Sequence, residues 1–261
     1  MLKHLSMASA KRVVPRVLLA FDCDHTIIDG NSDTWIISLL PDHKVPKDIK
    51  KRYKTEHNSW TIYMGEIFKY MHSVDIGEAA LHESIAGIPL TPGMKELFDY
   101  QASCPQLDCI VVSDSNSFFI DAILGSRNFQ KGVSKIYTNQ AEFDSDGCLK
   151  IHFSNPHSCP RKCPKNLCKQ TCLQAFVEEQ KAKGVEYDRI CMIGDGRNDF
   201  CPCFCLKERD YVFPRKGFSL VKLLQEQKEK KGSNDECIKA TVLPWDTATE
   251  ILAVVKSFFE H

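Results

Sequence analysis

The 261-residue sequence predicts an α/β fold, a doubly wound parallel sheet with a small all-α cap inserted after the first strand. Short apolar runs typical of buried strands alternate with segments of helical period along most of the chain, which indicates a parallel sheet. Block 31–87 departs from this alternation, because its apolar residues recur every three or four positions without a strand pattern. Two predicted strands end in acidic residues, which favours a site at the carboxyl edge of the sheet.

The predicted domain boundaries follow from the helical block. Residues 1–15 are a flexible N-terminal extension, residues 16–30 and 88–261 form the α/β core, and residues 31–87 form the helical cap. Ligands of open α/β sheets bind outside the carboxyl ends of the strands. We therefore expect the cap to act as a lid over the site.

The composition argues against several classes of partner. Lys plus Arg and Asp plus Glu each number 34, so the net charge gives no reason to expect nucleic acid. The longest apolar runs are far too short to cross a membrane. Thirteen cysteines without an apolar secretory signal predict reduced thiols and a cytoplasmic location. The sequence gives no indication of the oligomeric state.

The first strand is predicted at 16–21, where an apolar run ends in acidic residues. In the cap, Asn31 or Ser32 is the expected N-cap of a helix at 33–40. The cap ends before Thr91-Pro92-Gly93, which predicts a helix with Thr91 as N-cap and proline at the first helical position.

The rest of the core alternates strands with helices. The dipeptide Asp146-Gly147 between two short apolar runs predicts a β-hairpin. Further strands are predicted at 108–113, 134–138, 189–193, 210–213 and 238–243, and helices at 117–124, 167–183, 218–226 and 247–259. This order is typical of a doubly wound sheet.

Two acidic pairs predict the chemistry. Asp22 and Asp24 lie two residues apart at a strand end, so their side chains project to the same face. Carboxylates this close repel each other unless a cation or a shared proton relieves the repulsion. Asp195 and Asp199 follow a second strand, and an EF-hand Ca²⁺ loop there is excluded because its required Gly and Glu are missing. The pairs predict a Mg²⁺ site and phosphoryl transfer.

Four motifs in this order resemble the haloacid dehalogenase (HAD) superfamily of phosphatases. They are Asp22-Cys-Asp24-His-Thr26, Ser113 at the end of the next strand, a lysine, and Gly-Asp195-Gly-x-x-Asp199. Segments 31–35, 113–116, 163–169 and 213–217 are similar to the small vertebrate family that contains phosphoethanolamine/phosphocholine phosphatase and pyridoxal phosphate phosphatase, and nearer to the pyridoxal phosphate branch. The resemblance implies a HAD-like, Rossmannoid core from about residue 17 onward.

The resemblance also implies roles for the acidic residues. Asp22 would be the nucleophile that forms an aspartyl-phosphate, and Asp24 the general acid and then the general base. Asp22, the main-chain oxygen of Asp24 and Asp195 would hold Mg²⁺. Asp199 and Thr26 would support these groups from outside the metal's own ligand set.

Ser113 and a lysine would bind the phosphoryl oxygens and hold them still. The sequence leaves two lysines open, because Lys165 and Lys169 both precede the second acidic pair. Lys169 is favoured, since it stands at the start of a predicted helix as the family pattern requires. Either lysine could instead be a solvated charge at a helix start.

Asp33 and Asp114 are predicted to contact the substrate near its leaving group. The family pattern assigns both to substrate contact, and carboxylates near the leaving group suit one that carries an amine. Helix capping or dipole stabilisation is the alternative for Asp33. We expect a small phosphomonoester, pyridoxal 5'-phosphate first, with phosphoethanolamine or phosphocholine, or a non-catalytic phosphate-binding member, as alternatives. Arg197 departs from the family pattern beside the metal motif and could alter substrate preference.

A cluster of cysteines precedes the second acidic pair. The residues with metal-binding side chains are His157, Cys159, Cys163, Cys168 and Cys172. They could form a tetrahedral Zn²⁺ site, although reduced, partly buried thiols are the alternative. Cys201, Cys203 and Cys205 are expected to pack in the core.

Overall fold

The structure is a computed structural model that describes residues 15–57, 59–153, 157–161, 163–229 and 237–260. Nearly all of the predicted N-terminal extension lies outside the described residues. No helix in these ranges is both long enough and apolar enough to cross a membrane.

The strands of the described residues form one seven-stranded sheet. They are β1 (Val17–Phe21), β2 (Leu107–Asn116), β3 (Val133–Phe143), β4 (Leu149–His152), β5 (Arg189–Gly194), β6 (Tyr211–Pro214) and β7 (Thr241–Val242). Their order is β4-β3-β2-β1-β5-β6-β7, and neighbours run parallel except β3 and β4. The parallel sheet and the hairpin around Asp146-Gly147 are therefore confirmed.

The central strand β1 is the switch point of the sheet. Phe21 pairs with Val111 of β2 on one side and with Ile193 of β5 on the other. The chain leaves β1 toward one edge through β2 and β3, and later fills the other side through β5 and β6. The ends of β1, β2 and β5 therefore lie side by side, where open α/β sheets bind ligands.

Helices cover both faces of the sheet. They are α1 (Ser32–Trp35), α2 (Lys47–Arg52), α3 (Trp60–Ser73), α4 (Glu78–Ala86), α5 (Met94–Ser103), α6 (Ser117–Gly125), α7 (Lys169–Ala182), α8 (Ser219–Glu229) and α9 (Ala248–Ser257). Successive side chains of β1 point to opposite faces. Leu19 packs in one apolar cluster with α5, α6 and α9, whereas Leu18 packs in a second cluster with α7 and α8. The doubly wound arrangement is confirmed.

Residues 31–87 are helical, as the sequence predicts. They contain α1 to α4 with short 3₁₀ and π turns, and no strand in their described part. A Cβ atom added to Gly65 of α3 would lie 3.8 Å from Ile151 of β4. The rings of Phe68 and of Phe119 in α6 are nearly perpendicular, with their centres 5.8 Å apart. This segment packs against the sheet domain, and its status as a separate cap domain remains a prediction.

The helix after the cap begins later than predicted. Thr91 is not its N-cap; Gly93, with a φ of 81°, occupies that position before Met94. A Cβ at Gly93 would lie 2.6 Å from the main-chain nitrogen of Thr249. Glycine is required there both for the left-handed backbone and for close approach to α9.

Candidate active site

Asp22 is buried directly after β1 and contacts a buried lysine. Its carboxylate accepts a hydrogen bond from the Cys23 main-chain N–H (2.6 Å) and forms an ion pair with Lys169 Nζ (2.8 Å). Lys169 begins α7, is 1% exposed, and also donates to Asp199 at 2.6 Å. Lys165 is exposed on the preceding loop. The structure thus brings Lys169, and not Lys165, into contact with the acidic residues.

Asp199 is fully buried and organises the loop after β5. Its Oδ2 accepts hydrogen bonds from the main-chain N–H groups of Asp195 (3.0 Å) and Gly196 (2.9 Å). A Cβ on Gly194 would lie 2.3 Å from the Asp199 carboxyl carbon. Glycine at 194 therefore allows this carboxylate to pack against the strand end.

The acidic residues of this site carry more negative charge than the Lys169 ammonium can offset. Carboxylate oxygens of Asp22, Asp195 and Asp199 all lie within 4.8 Å of one another. Burial, followed by the charges of Asp22 and Asp199, raises the pKa of Asp195 to about 8. Burial also raises the pKa of Asp199 to about 7, although Lys169 opposes this. Oxygen ligands with excess negative charge fit a hard divalent cation such as Mg²⁺.

The same carboxylates change the pKa of Lys169. Burial by itself lowers the pKa of the Lys169 ammonium, but the carboxylates of Asp199, Asp22 and Asp114 outweigh burial and raise the pKa above its ordinary value. Lys169 therefore remains a cation at neutral pH.

Asp24 is held by the first residues of α1. Its carboxylate accepts hydrogen bonds from the Ser32 N–H (2.8 Å), the Ser32 hydroxyl (3.2 Å) and the Asn31 side-chain amide (3.3 Å). Burial, and next the charge of Asp33, raises the pKa of Asp24 well above its ordinary value. A raised pKa makes this carboxyl hold its proton more readily, which suits a proton donor.

The two predicted hydroxyl groups, those of Ser113 and Thr26, are both buried. Ser113 is fully buried near the end of β2, where its Oγ accepts a hydrogen bond from the Ser115 N–H at 3.3 Å. Thr26 is also fully buried, and its hydroxyl makes no hydrogen bond with the described residues. Its supporting role is therefore not carried by a hydrogen bond among the described residues, and it stays a prediction.

Asp114 and Asp33 occupy different environments. Asp114 lines the cavity described below, and burial raises its pKa, with Lys169 acting in the opposite direction. Asp33 lies beneath Trp60, whose indole N–H donates to it at 2.5 Å, and burial raises the pKa of Asp33 to about 7. The N-cap of α1 is Asn31, so Asp33 does not cap this helix.

These groups open onto a cavity of about 810 Å³. Its acidic lining residues are Asp22, Asp24, Asp114 and Asp195. The cavity lining also contains Arg161, Arg197, Phe200 and Phe204, with the Arg161 guanidinium 4.5 Å from the centre of the Phe204 ring. Arg161 was not predicted, because no local pattern distinguishes it from a solvated arginine in a loop. Asp33 is not among the residues that line this cavity.

Comparison with known proteins identifies the family. The chain matches a family model described as Putative Phosphatase over residues 17–258. The chain belongs to this phosphatase family. It is 43% identical over 242 residues to the pyridoxal phosphate phosphatase PHOSPHO2 of Bos taurus, covering 92% of this chain and 98% of that protein. It is 34% identical over 245 residues to the phosphoethanolamine/phosphocholine phosphatase of Homo sapiens, covering 93% of this chain and 89% of that protein.

The fold of this phosphatase is also shared with a solved structure. A phospho-aspartyl intermediate analogue of phosphoserine phosphatase aligns with a TM-score of 0.58 and 16% identity, covering 92% of this chain and 99% of that chain. This confirms the HAD-like, Rossmannoid core. The resemblance inferred from the motifs is confirmed, including the nearer branch, and the protein is a phosphatase with a HAD-like fold.

The phosphatase carries a cysteine cluster that differs from the predicted one. The Sγ atoms within 4.8 Å of one another are those of Cys159, Cys163, Cys168 and Cys201. Cys172 packs in the second apolar cluster, and His157 Nε2 lies 2.7 Å from the Pro164 carbonyl oxygen. Cys201, expected to pack in the core, meets the other three because the turn after Asp199 brings it against α7.

Proposed function

We propose that this HAD-type phosphatase is a Mg²⁺-dependent phosphomonoesterase that acts through an aspartyl-phosphate on Asp22. The observation that carries the proposal is the buried contact between Asp22 and Lys169, next to Asp195 and Asp199 and open to the cavity. A nucleophilic carboxylate needs cationic neighbours to approach an anionic phosphate.

In the first proposed step, a carboxylate oxygen of Asp22 attacks phosphorus and the bond from phosphorus to the leaving oxygen breaks. Protonated Asp24 gives its proton to that oxygen, so the alcohol leaves neutral. In the second step, a water attacks the aspartyl-phosphate while the Asp24 carboxylate accepts its proton. Inorganic phosphate is released and the Asp22 carboxylate is restored. The raised pKa of Asp24 supports this order of proton transfers.

Most of the remaining rate enhancement would come from holding the phosphoryl group in position. Lys169 and Ser113 would hold the phosphoryl oxygens against Asp22. Lys169 suits this role because its ammonium is already fixed between Asp22 and Asp199.

Asp22, the main-chain oxygen of Asp24 and Asp195 would hold Mg²⁺. When bound, the ion reduces the negative charge between the nucleophile and the phosphate. Asp199 would orient this set, because it accepts hydrogen bonds from the Asp195 and Gly196 N–H groups.

We propose that residues 31–87 act as a cap domain over this site. The N–H of Ser32, at the start of α1, donates to Asp24, so this segment contacts the proton donor directly. The Ser32 hydroxyl also lies 2.9 Å from the hydroxyl of Ser115. A movement of α1 would therefore change the environment of Asp24.

The proposed substrate is a small amine-bearing phosphate ester, and pyridoxal 5'-phosphate suits the cavity best. A carboxylate such as Asp114 can pair with a protonated pyridine nitrogen. The guanidinium groups of Arg161 and Arg197 suit a phenolate oxygen, and Phe200 and Phe204 offer surface to an aromatic ring. The 43% identity to a pyridoxal phosphate phosphatase agrees with this choice.

Phosphoethanolamine and phosphocholine are the second candidates. The relative of that name at 34% identity and the carboxylate of Asp114 favour them. The two cavity arginines oppose a cationic leaving group. The non-catalytic alternative is not supported, because the chain belongs to a phosphatase family and contains the expected acidic residues and lysine.

The test measures release of inorganic phosphate from the three esters, with and without Mg²⁺. Asp22→Asn should abolish turnover in a folded protein, whereas Asp146→Asn, an exposed acid in the hairpin, should leave turnover unchanged. Full activity of Asp22→Asn would refute the mechanism.

Arg197→Ala decides between the substrates. We expect kcat/KM for pyridoxal 5'-phosphate to fall about tenfold, as for loss of one charged hydrogen bond, while kcat/KM for phosphocholine stays constant or rises. The reverse pattern would favour the second candidates.

A further inference from the structure

We propose that Cys159, Cys163, Cys168 and Cys201 form a structural tetrathiolate Zn²⁺ site beside the active-site cavity. Three pairs of Sγ atoms lie 3.5, 3.6 and 3.8 Å apart, and all four atoms lie within 4.8 Å of one another. A tetrahedron with Zn–S bonds of about 2.3 Å has edges of about 3.8 Å. The sulfur atoms are therefore already close to the spacing that zinc requires.

Neither core packing nor disulfide bonding explains this convergence. Cys159 and Cys163 are only half-buried, unlike the core thiols Cys191 and Cys203. The four sulfurs are free thiols, and a disulfide would need a separation of about 2.05 Å. A disulfide would also use only two of the four sulfurs, whereas a tetrahedral metal uses all of them.

The loop that carries three of the cysteines needs such an anchor. It connects β4, which ends at His152, with α7, which begins at Lys169, and its described residues contain no helix or strand. Loops of this length without secondary structure are uncommon in compact domains. Binding of a metal to thiolates supplies folding free energy directly, and the thiol protons pass to solvent.

Charged and polar neighbours suit a site with net negative charge. Four thiolates and one Zn²⁺ carry a net charge of −2. Arg161 donates to the Gln170 side-chain oxygen at 3.1 Å, and the same oxygen lies 3.4 Å from Cys201 Sγ. This chain of contacts brings the Arg161 cation close to the sulfurs, where it can offset part of their negative charge.

The site would join the two chain segments that meet where Lys169 contacts Asp199. Cys168 directly precedes Lys169, and Cys201 follows Asp199 by two residues. One bound ion would therefore fix both ends of the hydrogen bond from Lys169 to Asp199. Cys163 and Cys201 also line the active-site cavity, so the ion would shape its wall.

The first test is metal analysis of the full wild-type chain after dialysis in Mg²⁺-containing, zinc-free buffer. We expect about one zinc per chain, released by a mercurial reagent, and a fall in melting temperature after chelation that Zn²⁺ restores and Mg²⁺ does not. Substitution by Co²⁺ should give thiolate charge-transfer and tetrahedral d–d bands. Zinc-free protein that gains neither zinc nor stability when Zn²⁺ is added would overturn the proposal. Iron in place of zinc would overturn the zinc assignment.

The second test compares variants by zinc content and melting temperature. Cys159→Ser should lose most of the zinc, Cys159→His should retain it because imidazole is also a zinc ligand, and Cys205→Ser should retain it fully. Cys205 is a matched control, because it lies in the same 3₁₀ segment as Cys201 and its Sγ bonds only the Pro202 carbonyl oxygen among the described contacts. Undiminished zinc in Cys159→Ser would contradict the proposed ligand set, and the wild-type analysis decides the matter if a variant does not fold.

Discussion

At the residue scale, Lys169 is a buried cation that contacts two carboxylates, Asp22 and Asp199. A buried ion pair adds little net stability, because desolvation of both partners offsets their attraction. Removal of one partner is costly, since it leaves a buried charge without compensation. Lys169 therefore couples the stability of the site to its chemistry.

Lys169→Met should lower the free energy of unfolding by about 3 kcal/mol and abolish most of kcat. Urea denaturation at neutral pH and phosphate release measure the two effects. Lys165→Met changes an exposed lysine on the preceding loop, so its stability should stay within about 0.5 kcal/mol of wild type. Equal stability of the two variants would show that the buried contact is unimportant.

Gly194→Ala tests the close approach of Asp199 to β5. The added Cβ would lie 2.3 Å from the Asp199 carboxyl carbon, so that carboxylate must move. We expect a loss of about 1–3 kcal/mol in stability, as for overpacking, together with weaker activity. Gly65→Ala in α3 is the control, because its Cβ would make an ordinary contact at 3.8 Å. Wild-type kinetics for Gly194→Ala would contradict this account.

At the element scale, Asp33 links α1 to α3 through the indole N–H of Trp60. The other oxygen of Asp33 is buried without a hydrogen bond among the described residues. Burial raises the pKa of Asp33 from 3.8 to about 7, so this carboxyl is more easily protonated in the folded protein than in the unfolded chain. The contact between these helices should therefore depend on pH.

Thermodynamic linkage gives the direction in which stability changes with pH. The stabilisation from protonated Asp33 is complete below about pH 4 and is lost as pH rises through about 7. The asparagine of the Asp33→Asn variant cannot ionise. The free energy of unfolding of this variant, relative to wild type, should therefore rise by up to about 4 kcal/mol between pH 4 and pH 8. Chemical denaturation across this range measures the difference, with the exposed Asp42→Asn as control. A constant difference would contradict the prediction.

At the scale of the whole molecule, the acidic cluster joins segments that are distant in sequence. Asp22 follows β1, Asp195 and Asp199 follow β5, and Lys169 begins α7. A divalent cation bound to these carboxylates would bind the folded state but not the unfolded chain. Mg²⁺ should therefore stabilise the protein as a whole.

We expect Mg²⁺ at one hundred times its Kd to stabilise the fold by about 2.7 kcal/mol, which corresponds to roughly 5–10 °C in Tm for a protein of this size. Asp195→Asn should remove most of this shift, whereas Asp146→Asn should retain it. Thermal melts with and without Mg²⁺, at constant zinc, provide the measurement. A Tm that is independent of Mg²⁺ in wild type would contradict the proposed metal site.

Local patterns explain why much of the fold could be predicted. The apolar run before Asp22 and the turn at Asp146-Gly147 are short-range signals, so β1 and the hairpin were predicted nearly correctly. Helix starts that depend on distant contacts were less predictable. Gly93 is the N-cap of α5, and its close approach to Thr249 joins two positions that are far apart in the sequence.

The sequence by itself determined the α/β alternation, the helical block at 31–87 and the two acidic pairs, because each arises from spacing within a few residues. Only the tertiary structure decided that Lys169 contacts the carboxylates, that Asp33 lies beneath Trp60, and that Cys201 joins the loop cysteines. These contacts join residues that are distant along the chain. They depend on how whole elements pack, and no local pattern of side chains specifies that packing.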